Sequence, residues 1–591
     1  MEKNTLIAVV LSVVLITVSF VLQGVFFPAD KTEAVSQEIT QTVDSTQNGQ
    51  VQGESTQQFM EPAAPTSASG DIVAVPFQSD YVSESLITYQ NEIMQVQIDP
   101  RGGRVVSIKL LKYQDGDKQL EMIMANPDGR AAFDLSFGNA DQAVIRDLFV
   151  QRDTGKENVV ELYRDFMPVD GQPFRVIRRY VFAADEYMFK VETELVNSVN
   201  ELIPLQKDNA SYTLHFGPQI GPEFEALDNR TDFRRFGYYD EKHRTEKLDQ
   251  GEYAVLDERP RWAGINGKYF AAVAVPGTAE YRIRFDTRFQ SAMPENHAFS
   301  LTRPPVRSAK NVDTVMFYVG PKINEELKRY DSAADNAFGV SGLDLGELQD
   351  SRILGWFEKI LKRLLDAIYS VIPNYGVAII IMTILVKLAL WPLTKKSFES
   401  NAKSQALQPK IAELRTKYKD NPEKLNAEMM AIYKKEGVNP LGGCLPLLLQ
   451  MPLLLAMFGL FNNDFDLRGA TFISGWISDL SAPESILYFG DKFAIPFLGW
   501  TDIRLLPILF VGSQLLFGRF NQPAGAEANP QTKMLTTFMP LMFFFILYNM
   551  PSGLLLYWII TNILSVVQQL GTTKYRQGHP QHVKNQEKKN K

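Results

Sequence analysis

The chain has 591 residues, room for several domains, and a net charge of −7 that counts against a nucleic-acid binder, so no direct DNA binding is expected. Its one cysteine, Cys444, excludes an intramolecular disulfide framework or cysteine-rich metal site, and no two histidines have the spacing of a zinc-binding helix. Neither Gly-x-x-x-x-Gly-Lys-Ser/Thr nor Gly-x-Ser-x-Gly occurs, which removes the common nucleotide-driven and hydrolase readings.

Residues 1–28 read as a transmembrane anchor. After MEKN, the run Leu6–Phe27 is apolar over about 22 residues, long enough to span a bilayer. It is longer than a signal-peptide core and no A-x-A cleavage pattern follows it, so retention is expected. Residues 29–72 are rich in Thr, Ser, Gln, Glu, Ala and Gly, cannot bury enough apolar surface to offset ordering entropy, and form a linker.

From 73 to 350 the pattern is that of strands. Ile93–Ile98 and Val105–Leu110 flank the turn Asp99-Pro100-Arg101-Gly102-Gly103, a hairpin signal. Phe189, Val191, Thr193 and Leu195 alternate with polar neighbours, and Tyr281–Thr287 and Thr314–Val319 repeat the alternation. Many short strands separated by Gly, Pro and Asn/Asp turns imply a large β-sandwich. No constellation of its polar residues stands out from a solvated surface, and carbohydrate binding is a minor alternative.

Residues 351–373 hold an amphipathic helix over 352–372. Ile353, Trp356, Phe357, Ile360, Leu364 and Ile368 share a stripe, with Glu358, Lys359, Lys362, Arg363 and Asp366 opposite, as in a helix lying at a membrane interface. A five-helix core then covers 374–571, with spans at Tyr375–Leu393, Leu441–Phe461, Ile503–Phe517, Met534–Asn549 and Gly553–Leu570. With the anchor these make six, the fold class being a polytopic α-helical membrane protein with a large outer all-β domain.

Basic residues set the orientation. The connection 395–440 runs from Lys395 and Lys396 to Lys434 and Lys435, and the tail 572–591 carries Lys574, Arg576, Lys584, Lys588, Lys589 and Lys591. Both therefore face the cytoplasm, as do both termini, and the β-domain lies outside. Within the connection, Leu407, Ile411, Leu414 and Tyr418 mark one helical stripe and Leu425, Met429 and Ile432 another. Asp420-Asn421-Pro422 divides them, giving a charged helical hairpin suited to a partner or a moving lid.

Lys387 interrupts the first core span, YGVAIIIMTILVKLALWPL. A charge there costs a few kcal/mol on insertion scales and is a functional candidate by default. It also lies only about 12 Å of helix rise from Lys395, close enough for its stem to snorkel toward the interface. Thr383 lies one turn before it on the same face. Gln450, Gln514 and Asn562 place further polar groups in the inner halves of other spans, while the outer halves carry little beyond Tyr557 and Trp558. Polar groups inside a bilayer face protein or water. Each one alone reads as a helix-packing hydrogen bond; together with Lys387 they favour a wet cavity open to the cytoplasm.

Several motifs occur in order: Trp391-Pro392-Leu393-Thr394-Lys395, Leu407-Gln408-Pro409-Lys410, Glu428-Met429-Met430, Asn439-Pro440-Leu441-Gly442-Gly443-Cys444, Gln450-Met451-Pro452, Phe538-Met539-Pro540 and Pro551-Ser552-Gly553. Over about 350–575 this pattern resembles the YidC/Oxa1/Alb3 family of membrane protein insertases. The anchor, linker and outer domain resemble its Gram-negative form, whose periplasmic domain is a β-supersandwich. The resemblance implies a bacterial inner-membrane insertase and chaperone, not an enzyme, with no cofactor and no metal. Its positively charged groove would receive the hydrophilic segment of a nascent membrane protein, whose apolar helix leaves along the third and fifth spans. Lys387, where many members carry arginine, would supply the charge; Thr383, Gln450, Gln514 and Asn562 would line the groove, and Tyr557 and Trp558 would contact the client. The Sec translocon, membrane lipids, and ribosome or targeting factors at the hairpin and tail are the implied partners. A secondary transporter is the alternative, although no internal repeat of spans is visible; a glycan-handling enzyme would lack paired carboxylates.

Overall fold

The computed structural model describes most of the chain between Ile72 and Gly578; residues 1–71, 77–83, 125–128, 420, 438–444, 490–499, 522–539 and 579–591, with short stretches between 169 and 353, lie outside the description. The expected anchor and linker, Cys444 and most of the basic tail therefore fall outside it.

The hairpin turn at Asp99–Gly103 needs left-handed backbone twice in succession, which only glycine adopts without cost: Gly102 has φ +78° and Gly103 φ +59°. Strand Met94–Asp99 pairs with Arg104–Asp115 across it, with a bulge at Gln97/Ile98. These belong to a four-stranded sheet. A ten-stranded antiparallel sheet is centred on Phe174–Val181, Met188–Asn197, Lys310–Pro321, Phe270–Val275 and Trp262–Gly267, neighbours in that order. A five-stranded sheet runs Tyr253–Val255, Arg282–Asp286, Ala298–Arg303, Tyr212–Phe216 and Asp134–Phe137. Phe216 stacks on Phe317 and Phe236 on Phe285, joining the inner faces of the two larger sheets as in a sandwich. The alternation expected at Phe189, Val191, Thr193 and Leu195 is present, all four buried on one strand.

Helices follow. Helix α1 (Gly355–Tyr369) occupies the centre of the expected amphipathic segment, and one residue of its charged face needs correction. Glu358, read as opposite the apolar stripe, is buried with Leu361 and Leu365, whereas Trp356 (65% exposed) and Ile360 (50%) of that stripe face outward as an interfacial helix requires. The reason lies on α5 (Leu445–Asn463), where Gly459 has no side chain and Glu358 fills the space a Cβ would take. Between α1 and α5 run α2 (Tyr375–Ala406), α3 (Gln408–Lys417) and α4 (Pro422–Lys435); α6 (Leu505–Asn521) and α7 (Ser552–Gly578) come after, with a helical segment over 540–547 between those two. By length and hydropathy Tyr375–Pro392 and Ser552–Thr572 can cross a membrane, and Leu505–Phe520 is a shorter apolar helix.

Helix α2 has 32 residues, about 48 Å, so it runs on past its apolar part into the basic connection. The connection's two stripes meet as expected: Leu407 and Ile411 are buried against Met429, Ile432 and Tyr433. Asn421 caps α4, its side chain accepting from the Lys424 N–H at 3.0 Å, with Pro422 in the first turn. At the other end of α5, Phe465 meets Tyr113, Tyr269 and Phe270 edge-on at 4.9–6.1 Å, and Arg468 pairs with Asp115 at 2.5 Å. The β-domain is thus tied to the loop that leaves α5. Beside it Lys362 bridges Asp366, Asp464 and Asp466 at 2.8, 2.9 and 2.6 Å. Burial opposes charge on the Lys362 ammonium, yet Asp464 and Asp466 hold its pKa above the ordinary range.

Candidate functional site

Helix α7 packs between α2 and α6, and its sequence gives it two polar edges. Thr561, Ser565, Gln568 and Thr572 recur every three or four residues, one stripe of a helix. Ser565 accepts a hydrogen bond from the Lys387 ammonium at 2.7 Å and donates to the Thr561 carbonyl at 2.7 Å. One turn further in, Gln568 donates to the Thr394 hydroxyl of α2 at 3.0 Å. Toward α6, the Asn562 amide donates to Gln514 at 2.8 Å and to Ser513 at 3.0 Å. Gln569 is 1% exposed, and neither of its amide atoms has a partner among the described residues. A buried amide left so is costly unless water or a ligand group reaches it.

Among the described residues no carboxylate lies within ion-pair distance of Lys387. The charge is held by a neutral hydroxyl and keeps its attraction for an anion.

Of the residues singled out from the sequence, Asn562 of α7 and Gln514 of α6 meet directly, and Lys387 of α2 meets α7 through Ser565. Thr383 is buried one turn above Lys387 and donates to its own helix at Ile379, 2.6 Å away. Gln450 is half-buried on α5, with no hydrogen bond to a described residue. Tyr557 and Trp558 are buried; the indole packs against Phe510 and Phe543 with ring centres 4.8 and 6.0 Å away. Neither ring faces an open surface, so contact with a client requires the helices to part. Ser565 and Ser513 were not legible as site residues. The only signal for Ser565 is its place in the α7 stripe.

Residues 367–579 match the family described as the 60Kd inner membrane protein, and residues 86–366 match the YidC periplasmic domain. A membrane protein insertase YidC from Treponema denticola is 37% identical over 96% of this chain and 99% of its own length. The chain belongs to the YidC family of membrane protein insertases. Its Treponema pallidum relative is 34% identical over 96% of this chain and 98% of its own, and the one from Pelobacter propionicus 32% over 97% and 99%. Membership in the YidC family makes this an inner membrane protein whose β-sandwich is the periplasmic domain. It leaves the transporter and glycan-enzyme readings without support.

Proposed function

We propose that the protein inserts nascent membrane proteins through a hydrated groove between α2, α5, α6 and α7, open to the cytoplasm and to lipid. The observation that carries the reading is the Lys387 ammonium, inside the helical core and held, among the described residues, by Ser565. At an effective dielectric near 20 an ammonium and a carboxylate 4 Å apart attract by about 4 kcal/mol, against about 1 kcal/mol in bulk water. An acidic client segment entering from the cytoplasm would gain that difference. Thr383, Gln450, Gln514 and Asn562 would hydrogen-bond its polar backbone, lowering the cost of taking it part-way across. Tyr557 and Trp558 would meet the client once α7 moves. Release follows as about 20 apolar residues pass into lipid.

The same reading gives six spans, the anchor included, with both termini cytoplasmic, and domains divided at residues 28, 72, 350, 373 and 571. The hairpin and the basic tail would receive ribosome or targeting factors, and the Sec translocon would be a partner for some clients. Lysine brings charge without the planar fork of arginine, so attraction without bidentate grip is expected.

In cells depleted of their own insertase, Lys387→Arg should restore growth. Lys387→Glu should reduce insertion of a client with an acidic translocated segment about tenfold, the equivalent of 1.4 kcal/mol. Photocrosslinkers at 387 and 450 should capture the stalled client. Full activity of Lys387→Glu together with no crosslinks at either position would overturn the groove.

A further inference from the structure

We propose that Lys362, Phe465 and Arg468 are positioning residues for the groove: through them the β-domain fixes the outer end of α5 and so sets where Gln450 stands. The inference rests on the proposed part of α5 in the groove. Among the described residues α5 packs mainly along α1, which meets it where Gly459 leaves room for Glu358, and only lightly on α2 and α7. Pro452 inside it removes one backbone hydrogen bond and loosens the helix between its ends. Gln450 lies about 21 Å along the helix from Asp464. A tilt of about 10° at the outer end therefore shifts Gln450 by about 4 Å, more than the length of a hydrogen bond can absorb.

The turn that ends α5 faces two ways. A 3₁₀ segment, Phe465–Leu467, follows the helix, and Asp464 caps it by accepting from the Asp466 N–H at 3.2 Å. The carboxylates of Asp464 and Asp466 both take the Lys362 ammonium of α1. The residues between and after them turn to the β-domain. Phe465 packs against the buried core of that domain, edge-on to Phe270 at 4.9 Å. Arg468 donates to Asp115 at 2.5 Å and to the Glu223 carbonyl at 2.6 Å.

Helix α1 is itself held to the β-domain, Lys359 pairing with Glu325 of the short helix Asn324–Lys328. The β-domain, α1 and the turn thus close a triangle whose three sides are made by different residues. A helix end fastened to one body can pivot on it. Fastened to two bodies that are joined to each other, it pivots only by breaking a second contact. Lys362 is the common pin: without it Asp366, Asp464 and Asp466 would face one another with no cation between them.

In full-length protein carrying Cys444→Ala, spin labels at Met451→Cys of α5 and at Leu515→Cys, outward-facing on α6, report the placement of α5 whether or not a client binds. The parent should give one narrow distance. Arg468→Asp with Phe465→Ala should broaden it, and capture of a stalled acidic client by a photocrosslinker at 450 should fall about tenfold. Arg468→Asp alone should do the same to a smaller extent, and adding Asp115→Arg to it should recover most of both readouts. Recovery by the swapped pair is what positioning requires and a general loss of stability does not give. An unchanged distance in Arg468→Asp/Phe465→Ala would overturn the inference. So would client capture that falls in step with the β-domain melting temperature and does not recover in the swap. A broadened distance with client capture at the parental level would uphold the positioning of α5 and overturn instead its part in the groove.

Discussion

Buried charge is treated in opposite ways by the β-domain and the helical core. In the β-domain several buried carboxylates meet guanidinium groups: Asp134 takes Arg146 at 2.5 Å and the Ala131 N–H at 2.8 Å, Glu161 lies between Arg152 and Arg179, and Asp286 between Arg284 and Arg288 at 3.0 and 2.8 Å. Between α2, α6 and α7 the polar groups that meet are amides and hydroxyls, and the ammonium of Lys387 is bonded to one of the hydroxyls. A charge matched by a fixed countercharge holds a fold together and is expensive to unmatch. A charge held by neutral dipoles can still bind.

The largest effect expected from this contrast is in the β-domain. Asp134→Ala removes a fully buried acceptor from Arg146 and Ala131, and breaking such a pair costs about 3–5 kcal/mol. Arg146 is partly exposed, which sets the expectation at the low end. Thermal unfolding followed in the purified protein should show it as a drop of several degrees in the β-domain transition; a loss under about 1 kcal/mol would place the pair with surface ion pairs and weaken the comparison.

Acid comes next. Burial, with Arg234 nearby, lowers the His297 imidazole from 6.5 to about 4, and burial together with Arg130 holds His215 well below its ordinary value. Both groups are depressed in the folded state, so between these values the unfolded chain binds more protons. Stability is full above about pH 6.5 and is lost as pH falls toward 4, by up to about 3 kcal/mol for His297 alone. Melting temperatures between pH 7 and 4.5 should fall, and His297→Gln should flatten the slope; an unchanged slope would remove His297 from the account.

What was legible in the sequence was set by local physics. The 94–110 hairpin was announced by two glycines that must take positive φ, and the α3–α4 hairpin by its stripes and by Asn421-Pro422. Lys387 was legible because a lysine within an apolar run is improbable in lipid. Its partner was not, because Ser565 lies 178 residues away and serine carries almost no pattern of its own. The burial of Glu358 on α1 was not legible for the same reason: it is buried against Gly459, which acts across space. Periodicity reports that a helix has two faces; it does not say which face another helix has made room for.

The smallest effect bears most directly on whether Lys387 is structural or available. Ser565→Ala deletes the hydroxyl that accepts from Lys387 and leaves the α7 backbone intact. A hydrogen bond to a charged group is worth about 1.5–3 kcal/mol when nothing replaces it. In a hydrated groove, water takes the place of the hydroxyl and the loss falls below about 1 kcal/mol. The expected outcome is the smaller one: an unfolding midpoint within a few degrees of the parent, insertion of an acidic client reduced less than in Lys387→Glu, and recovery in Ser565→Thr. A cost of 2–3 kcal/mol would mean that the site is dry. Lys387 would then be a charge bound into the fold as Asp134 is, and the difference between the two regions would disappear.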